Sequence, residues 1–390
     1  MNTAENEIIR KISSGYNLPP LSSIALKLIE MASDEKASLY DMSMLIKEDP
    51  ALTVRLLKLA NSPFYRIPTA VSTIEEAVMR IGCNHVRLMA LSISIRDTFP
   101  FEKHEQMDYE QFWKTSLYQA LLARVIAQNF KSCHPDEAFV AGLVSEIGIL
   151  ILFDLFIKDK DRDFKVKLYP LEDLLAHEEQ RYGINHRKAG EAALRFWKLP
   201  EPIVECQRFY PNSPYSGFTP LSFVSEIARQ CSNFMIYKEI DWNTFYHKTQ
   251  NEYNLNQEIL TEIMVESFNT VESIAESMKI NINRQSDIEF LVGKAHDSLR
   301  KLTCQIESIN HKSLPTFSTI KTEAAEPLIT ETLQAVAHEI RNPLTILGGF
   351  ARRLEKILAP TSKEWSYVQQ IIEESKRLET VLSTMTTGKL

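Results

Sequence analysis

The C-terminal part of the chain carries the pattern that most constrains its fold. Leu333, Val336, Ile340, Pro343, Leu347, Phe350, Leu354 and Ile357 follow one another at alternating intervals of three and four residues. This is the heptad rhythm of a helix packing along a bundle seam. His338 falls midway between Val336 and Ile340, and at about 100° per residue its side chain points away from that seam, toward solvent. Asn342 follows on the same outward face, with Glu339 and Arg341 beside it. Pro343 has no amide proton to offer the Glu339 carbonyl, so the turn carrying His338 is expected to bend or loosen.

Ala359-Pro360 ends this helix, and Thr361-Ser-Lys-Glu364 has the form of a capping box opening another. The second seam reads Val368, Ile371, Ser375, Leu378, Leu382 and Met385. Neither helix can bury its stripe alone, so the hairpin is expected to pair with a second copy and form a four-helix bundle, making the protein a homodimer.

The run AVAHEIRNPLTILGGFARRL, followed by a helix containing IIEESKRLE, resembles the dimerisation and phosphoacceptor (HisKA) domain of sensor histidine kinases over residues 327–386. The resemblance implies that His338 is the phosphoacceptor. It implies Glu339 as the acid that takes or orients the imidazole proton, and Asn342 as a supporting residue. The chemistry suits these residue types: a neutral imidazole is nucleophilic near pH 7, and a neighbouring carboxylate stabilises the ring cation formed on attack. The bland alternative is a solvated histidine on a charged helix face.

Phosphorylation also needs ATP, for which a kinase would continue into a domain with an asparagine box and a glycine-rich lid. The 11 glycines of the 390 residues include no P-loop and no Gly-x-Gly-x-x-Gly cradle; the adjacent pair Gly348-Gly349 lies inside the phosphoacceptor helix. The chain up to Leu390 is therefore expected to hold no cofactor. ATP and magnesium would come with a kinase domain on a longer product or on another chain.

The remaining four fifths must then be regulatory. With 44% hydrophobic and 24% charged residues it can form two or three well-cored domains. A net charge of -7 without a long basic run argues against nucleic acid as a partner. The five cysteines, Cys83, Cys133, Cys206, Cys231 and Cys304, lack close paired spacing and read as thiols of a reducing cytoplasm rather than disulfides or zinc ligands. The polar start MNTAENEIIRK has no signal-peptide core. Ala138 to Phe156 approaches membrane-spanning length, but Ser145, Glu146 and Asp154 interrupt it, so a buried core helix is expected and no membrane insertion.

Periodicity predicts helices at Leu21–Met31, Leu39–Lys47, Leu52–Ala60, Thr73–Ile81, His85–Ile95, Phe112–Phe130, Asp136–Phe156, Leu171–Gln180, His186–Trp197 and Glu201–Phe209. Strand signals are scarce, so the fold class is all-α, a compact pack of many helices without a fixed repeat. Five phrases stand here in order: LPPLSSIALKLIEMASD, LIKEDPALTVRLLKLANSPFY, VSTIEEAVMRIG, AFVAGLVSEIGILIL and FWKLPEPIVE. Together they resemble the HDOD domain, an HD-related output domain of bacterial signalling proteins, over residues 12–214. The resemblance implies an all-helical relative of the HD phosphohydrolases that acts as an interaction or output module.

Hydrolase chemistry would need clustered His and Asp ligands for a divalent metal. Where that family has its His-Asp doublet this chain has Ser145-Glu146, and Thr115 stands where related sequences often carry histidine. The stretch Phe209-Tyr-Pro-Asn212 also lacks the histidine pair frequent there, whereas His186 does match a family histidine. Glu146, inside an apolar helix, reads as a hydrogen-bonded or paired acid, and His186, beside a candidate Asn185 cap, as a capping or packing residue. His85, His104, His134, His177, His247, His296 and His311 show no ligand spacing, so no metal is assigned and no phosphohydrolase activity is expected.

Residues 215–280, with helices expected at Leu221–Phe234 and Glu258–Met278, read as a helical extension. Residues 281–326 read as a linker: a helix at Ile288–Ile309, then a joint at Ser313-Leu-Pro-Thr316 and Thr322 to Pro327. The expected function is two-component signal transduction, with the HDOD-like domain governing His338. His338 would receive a phosphoryl group from a separate ATPase domain and pass it to an aspartate of a response regulator receiver domain. The alternative is a non-catalytic dimeric interaction scaffold.

Overall fold

The computed structural model describes residues 3–15, 18–31, 38–62, 65, 69–99, 104–157, 164–210, 213, 217–255, 257–317, 340–341 and 344–387. Among these residues the fold is all-α; its one β feature is an isolated bridge between His104 and Met107. The chain divides into two compact units, 1–233 with 267–282, and 234–266 with 283–390.

Many helices of the first unit begin where local chemistry starts them. Asp49 accepts the amides of Ala51 and Leu52 ahead of Pro50–Ala60, whose first position is the proline that needs no amide partner. Ser38 and Asp41 form a reciprocal capping box at Leu39–Lys47, and Thr73 caps Ile74–Ile81. At the centre, Tyr109–Phe130 packs against Pro135–Leu143. Gly142 permits this closeness, since a Cβ there would lie 2.7 Å from the Gln119 carbonyl oxygen. Phe112, Trp113, Tyr118, Phe139 and Phe153 fill the space around the pair and are fully buried.

The single helix expected over Asp136–Phe156 is broken. Pro135–Leu143 ends at a turn through Val144, Ser145 and Glu146, followed by Ile147–Leu152 and a π-helical turn, Phe153–Ile157. The cause is tertiary: a Cβ on Gly148 would lie 1.8 Å from the His186 carbonyl oxygen and 2.7 Å from the Gly190 nitrogen. Ile147–Leu152 and His186–Phe196 thus meet backbone to backbone, and the chain leaves helical geometry just before that contact. By length and hydropathy Pro135–Ile157 could cross a membrane, but 83% of that apolar window is buried inside the protein, as a core element is.

The expected helix Glu258–Met278 is likewise two, Gln257–Ser267 and Val271–Ser277. The second belongs to the first unit and packs within it. Arg55 Nε donates to the Ser277 carbonyl at 2.6 Å, and Arg96 Nη2 to the Lys279 carbonyl at 3.3 Å, so two buried guanidiniums cap the end of Val271–Ser277. Arg55 also pairs with Asp97, and Tyr118 meets Phe268 edge to face.

In the second unit, Asp241 caps Trp242–Tyr253, a helix between the two expected over residues 215–280. The linker helix runs Arg284–Phe317, so Ser313 to Thr316 lies within helix and not at a joint. The first hairpin helix is described at 340–341 and 344–355, and the second spans Lys363–Thr387. Ser362, not Thr361, caps that helix, its Oγ accepting the Trp365 amide at 3.1 Å, and Glu364 turns instead to Gln285 Nε2 at 2.9 Å. The two hairpin helices approach at Gly348, where a Cβ would sit 3.4 Å from Ser375 Cβ. Their stripe, Ile340, Leu347, Phe350, Leu354, Val368, Ile371, Leu378 and Leu382, is buried by the chain's own helices. Arg284–Phe317 packs on Lys363–Thr387, and Trp242 meets Phe350 with ring centroids 4.9 Å apart. Periodicity alone did not reveal this source of cover.

Candidate functional site

His338, Glu339 and Asn342, the residues singled out for phosphoryl chemistry, lie outside the described residues, as does Pro343. The structure does describe the surroundings of Ser145, Glu146 and His186, which the resemblance set against the metal ligands of HD proteins; they meet where the broken core helix faces His186–Phe196.

Asn185 caps that helix by accepting the Lys188 amide at 3.0 Å, which fixes His186 at its first position with the side chain pointing inward. Glu178, near the end of Leu171–Tyr182, accepts from the His186 backbone amide at 2.9 Å and contacts His186 Nδ1 at 2.6 Å through the same oxygen. Across the ring, His186 Nε2 lies 2.8 Å from Glu146 Oε2. The other Glu146 oxygen lies 3.3 Å from Arg187 Nη1, and Arg187 also donates to the carbonyls of Ser145, Cys206 and Phe209 at 2.6, 2.8 and 2.8 Å. Glu146, Glu178, His186 and Arg187 are all buried.

Burial by itself opposes charge on Glu146 and His186, yet the pairing prevails. For Glu146, the penalty of burial is outweighed by Arg187 and then by His186, and its titration drops to about 2. For His186, burial is outweighed by Glu178 and Glu146, which raise it to about 9. His186 is therefore an imidazolium donating from both nitrogens, and two carboxylates balance two cations. Metal ligation needs a ring nitrogen with a free lone pair, and here both are engaged. The residues present do not fit the divalent metal of an HD centre. They form a closed, self-neutral ionic cluster that ties the turn at 144–146 to two helices.

Thr115, where the resemblance led to an expected histidine, donates to its own helix at the Gln111 carbonyl, 2.8 Å away. It shares with Glu146, Arg229 and Asn233 the wall of a cavity of about 10 Å³, room for one water molecule. Sequence reasoning found Glu146 and His186 but missed Glu178 and Arg187. The available signal was that a histidine at the start of a helix whose alanines and glycine face the core needs charged partners nearby in space.

The HDOD domain family matches residues 18–213, just over half of the chain, and the His Kinase A (phospho-acceptor) domain matches residues 328–389. An uncharacterized protein of Treponema pallidum (strain Nichols) is 22% identical over 219 residues, which are 54% of this chain and 41% of that protein. Among solved structures, a candidate signal transduction protein from Marinobacter aquaeolei VT8 is similar at 20% identity and a TM-score of 0.53, covering 71% of this chain and 65% of that one. A candidate metal-dependent phosphohydrolase from Shewanella amazonensis SB2B is similar at 20% identity and a TM-score of 0.51, covering 71% and 100%. At such identities the likeness establishes the fold. The chain spans about two fifths of the length of the curated relatives it matches first. It belongs to the HDOD family and carries a HisKA domain, and is a signal transduction protein with a histidine kinase phosphoacceptor.

Proposed function

We propose that this chain is a cytoplasmic, dimeric component of a phosphorelay in which the HDOD domain controls access to His338. A ring nitrogen of His338 attacks the γ-phosphorus of ATP held by a kinase domain on a longer product or another chain, releasing ADP. Glu339 takes or orients the imidazole proton, and Asn342 supports the geometry. The phosphoryl group then passes to an aspartate of a response regulator receiver domain, and the labile P–N bond favours that transfer.

The observation that carries this reading is the pairing of a HisKA domain with an HDOD domain in which Glu146, His186, Glu178 and Arg187 form a closed ionic cluster. A domain so neutralised is suited to binding and packing changes rather than to hydrolysis. The test is incubation of the chain with a histidine kinase catalytic domain and labelled ATP. Acid-labile label that is absent from His338→Ala, and that moves to a receiver domain, is expected. An intact dimer that no donor labels would instead identify a scaffold.

A further inference from the structure

A second cluster lies in the same unit, apart from the closed one. His85 is in the first turn of Cys83–Thr98, His134 is the N-cap of Pro135–Leu143, and Asp136 is the second residue of that helix. One ligand-capable atom from each of the three lies within 4.8 Å of the others. Some fifty residues of chain separate His85 from the other two, so linear spacing assigned no metal to either histidine.

The central group is Asp136, whose side chain is fully buried. Its Oδ1 is held by Arg124. Its Oδ2 faces His85 Nε2 at 2.7 Å and His134 Nδ1 at 3.8 Å, yet has no hydrogen-bond partner. Two ring nitrogens and one buried oxygen thus converge with no hydrogen bond on that oxygen. An orphaned buried carboxylate oxygen is costly. The histidine side chains are 32% and 43% exposed, which opens the cluster to solvent. His134 Nδ1 now accepts the Asp136 amide at 3.3 Å, a long cap that a better electrophile would displace.

We infer that His85, His134 and Asp136 form a binding site for a divalent transition metal, with two nitrogens and one oxygen as ligands and a solvent molecule in the fourth position. Imidazoles with one carboxylate suit zinc, whereas calcium and magnesium would need more oxygens. Ligation would widen the 2.7 Å contact between His85 and Asp136, because two ligands on a tetrahedral zinc with bonds of about 2.0–2.1 Å stand farther apart than that. Arg124 fixes Asp136 from behind, as outer partners of metal ligands do, and its positive charge keeps the affinity moderate. The ion would fasten the start of Cys83–Thr98 to the start of Pro135–Leu143.

The test is zinc titration of the chelator-treated full chain, by calorimetry and by thermal unfolding. One equivalent is expected to bind with a Kd on the order of micromolar and to raise the unfolding temperature. His85→Ala and His134→Ala, at partly exposed positions that leave the Arg124–Asp136 pair intact, should each weaken binding at least about tenfold. Cys133→Ser should bind as the wild type does, and the cobalt-loaded protein should show visible d–d bands without thiolate charge transfer. No zinc bound by the wild type, unchanged binding in either histidine variant, or loss in Cys133→Ser would each overturn the assignment.

Discussion

His186 titrates at 6.5 in an unfolded chain and at about 9 in the folded protein. At about 1.4 kcal/mol per pH decade the cluster therefore contributes ~3 kcal/mol to the first unit through this group. Because the folded value is the higher one, that contribution is complete below pH 6.5 and is lost as pH rises toward 9. Replacing His186 alone would strand the Glu178 carboxylate, so the informative perturbation is the neutral pair His186→Gln with Glu178→Gln, which leaves Glu146 with Arg187. The assay is urea unfolding of the full chain at pH 6 to 9, with Trp242 and Trp365 changed to phenylalanine so that fluorescence reports the buried Trp113 and Trp197. Wild-type stability should fall by ~3 kcal/mol across that window and the double variant should show no such fall. Lys294, lowered to about 8 mainly by burial, titrates in an overlapping range in the second unit, but it is common to both proteins and cancels in the comparison. Parallel pH profiles for the two proteins would refute the reasoning.

Other expectations follow from particular contacts. Toward acid, Glu146 is lowered from 4.5 to about 2, so its contribution is present above pH 4.5 and vanishes as pH falls to 2; acid unfolding should start at higher pH in Arg187→Met, read by near-UV circular dichroism. Gly148→Ala would drive a Cβ into the His186 carbonyl and should cost at least ~2 kcal/mol, seen as a lower urea midpoint with unchanged m-value. Phe350→Ala, emptying a fully buried site against Trp242, should destabilise the second unit by about 3–5 kcal/mol and red-shift Trp242 emission. Arg55→Ala should speed hydrogen exchange in Val271–Ser277 by about tenfold or more, while leaving Tyr109–Phe130 protected.

Where one face of a helix is buried and the other is wet, the pattern was readable. Leu39–Lys47 has the limits its periodicity gives, and the hairpin stripe is the one that lies buried. The break at Val144 to Glu146 was not readable, because a segment buried on every side has apolar residues at all phases and periodicity carries no information there. What breaks it is the contact of Gly148 with a residue nearly forty positions away. The ionic cluster was half legible: Glu146 stood out as a charge in an apolar run, whereas Glu178 and Arg187 sit in polar stretches that look solvated until the fold turns them inward. The convergence of His85 with His134 and Asp136 depends on two helix starts meeting in space, and linear spacing holds no trace of it.

The hairpin stripe meets Trp242 and the helix Arg284–Phe317, so any pairing of two chains along it would have a particular thermodynamics. A second chain cannot simply add to that face. It must trade places with the segments already there, so nearly as much apolar surface is exposed as is covered again and the large burial terms cancel. The balance between a closed and an exchanged form would then rest on small residual differences, of the size a ligand bound elsewhere or one altered side chain supplies. An exchange balanced in this way would let a weak input produce a large change in partnership.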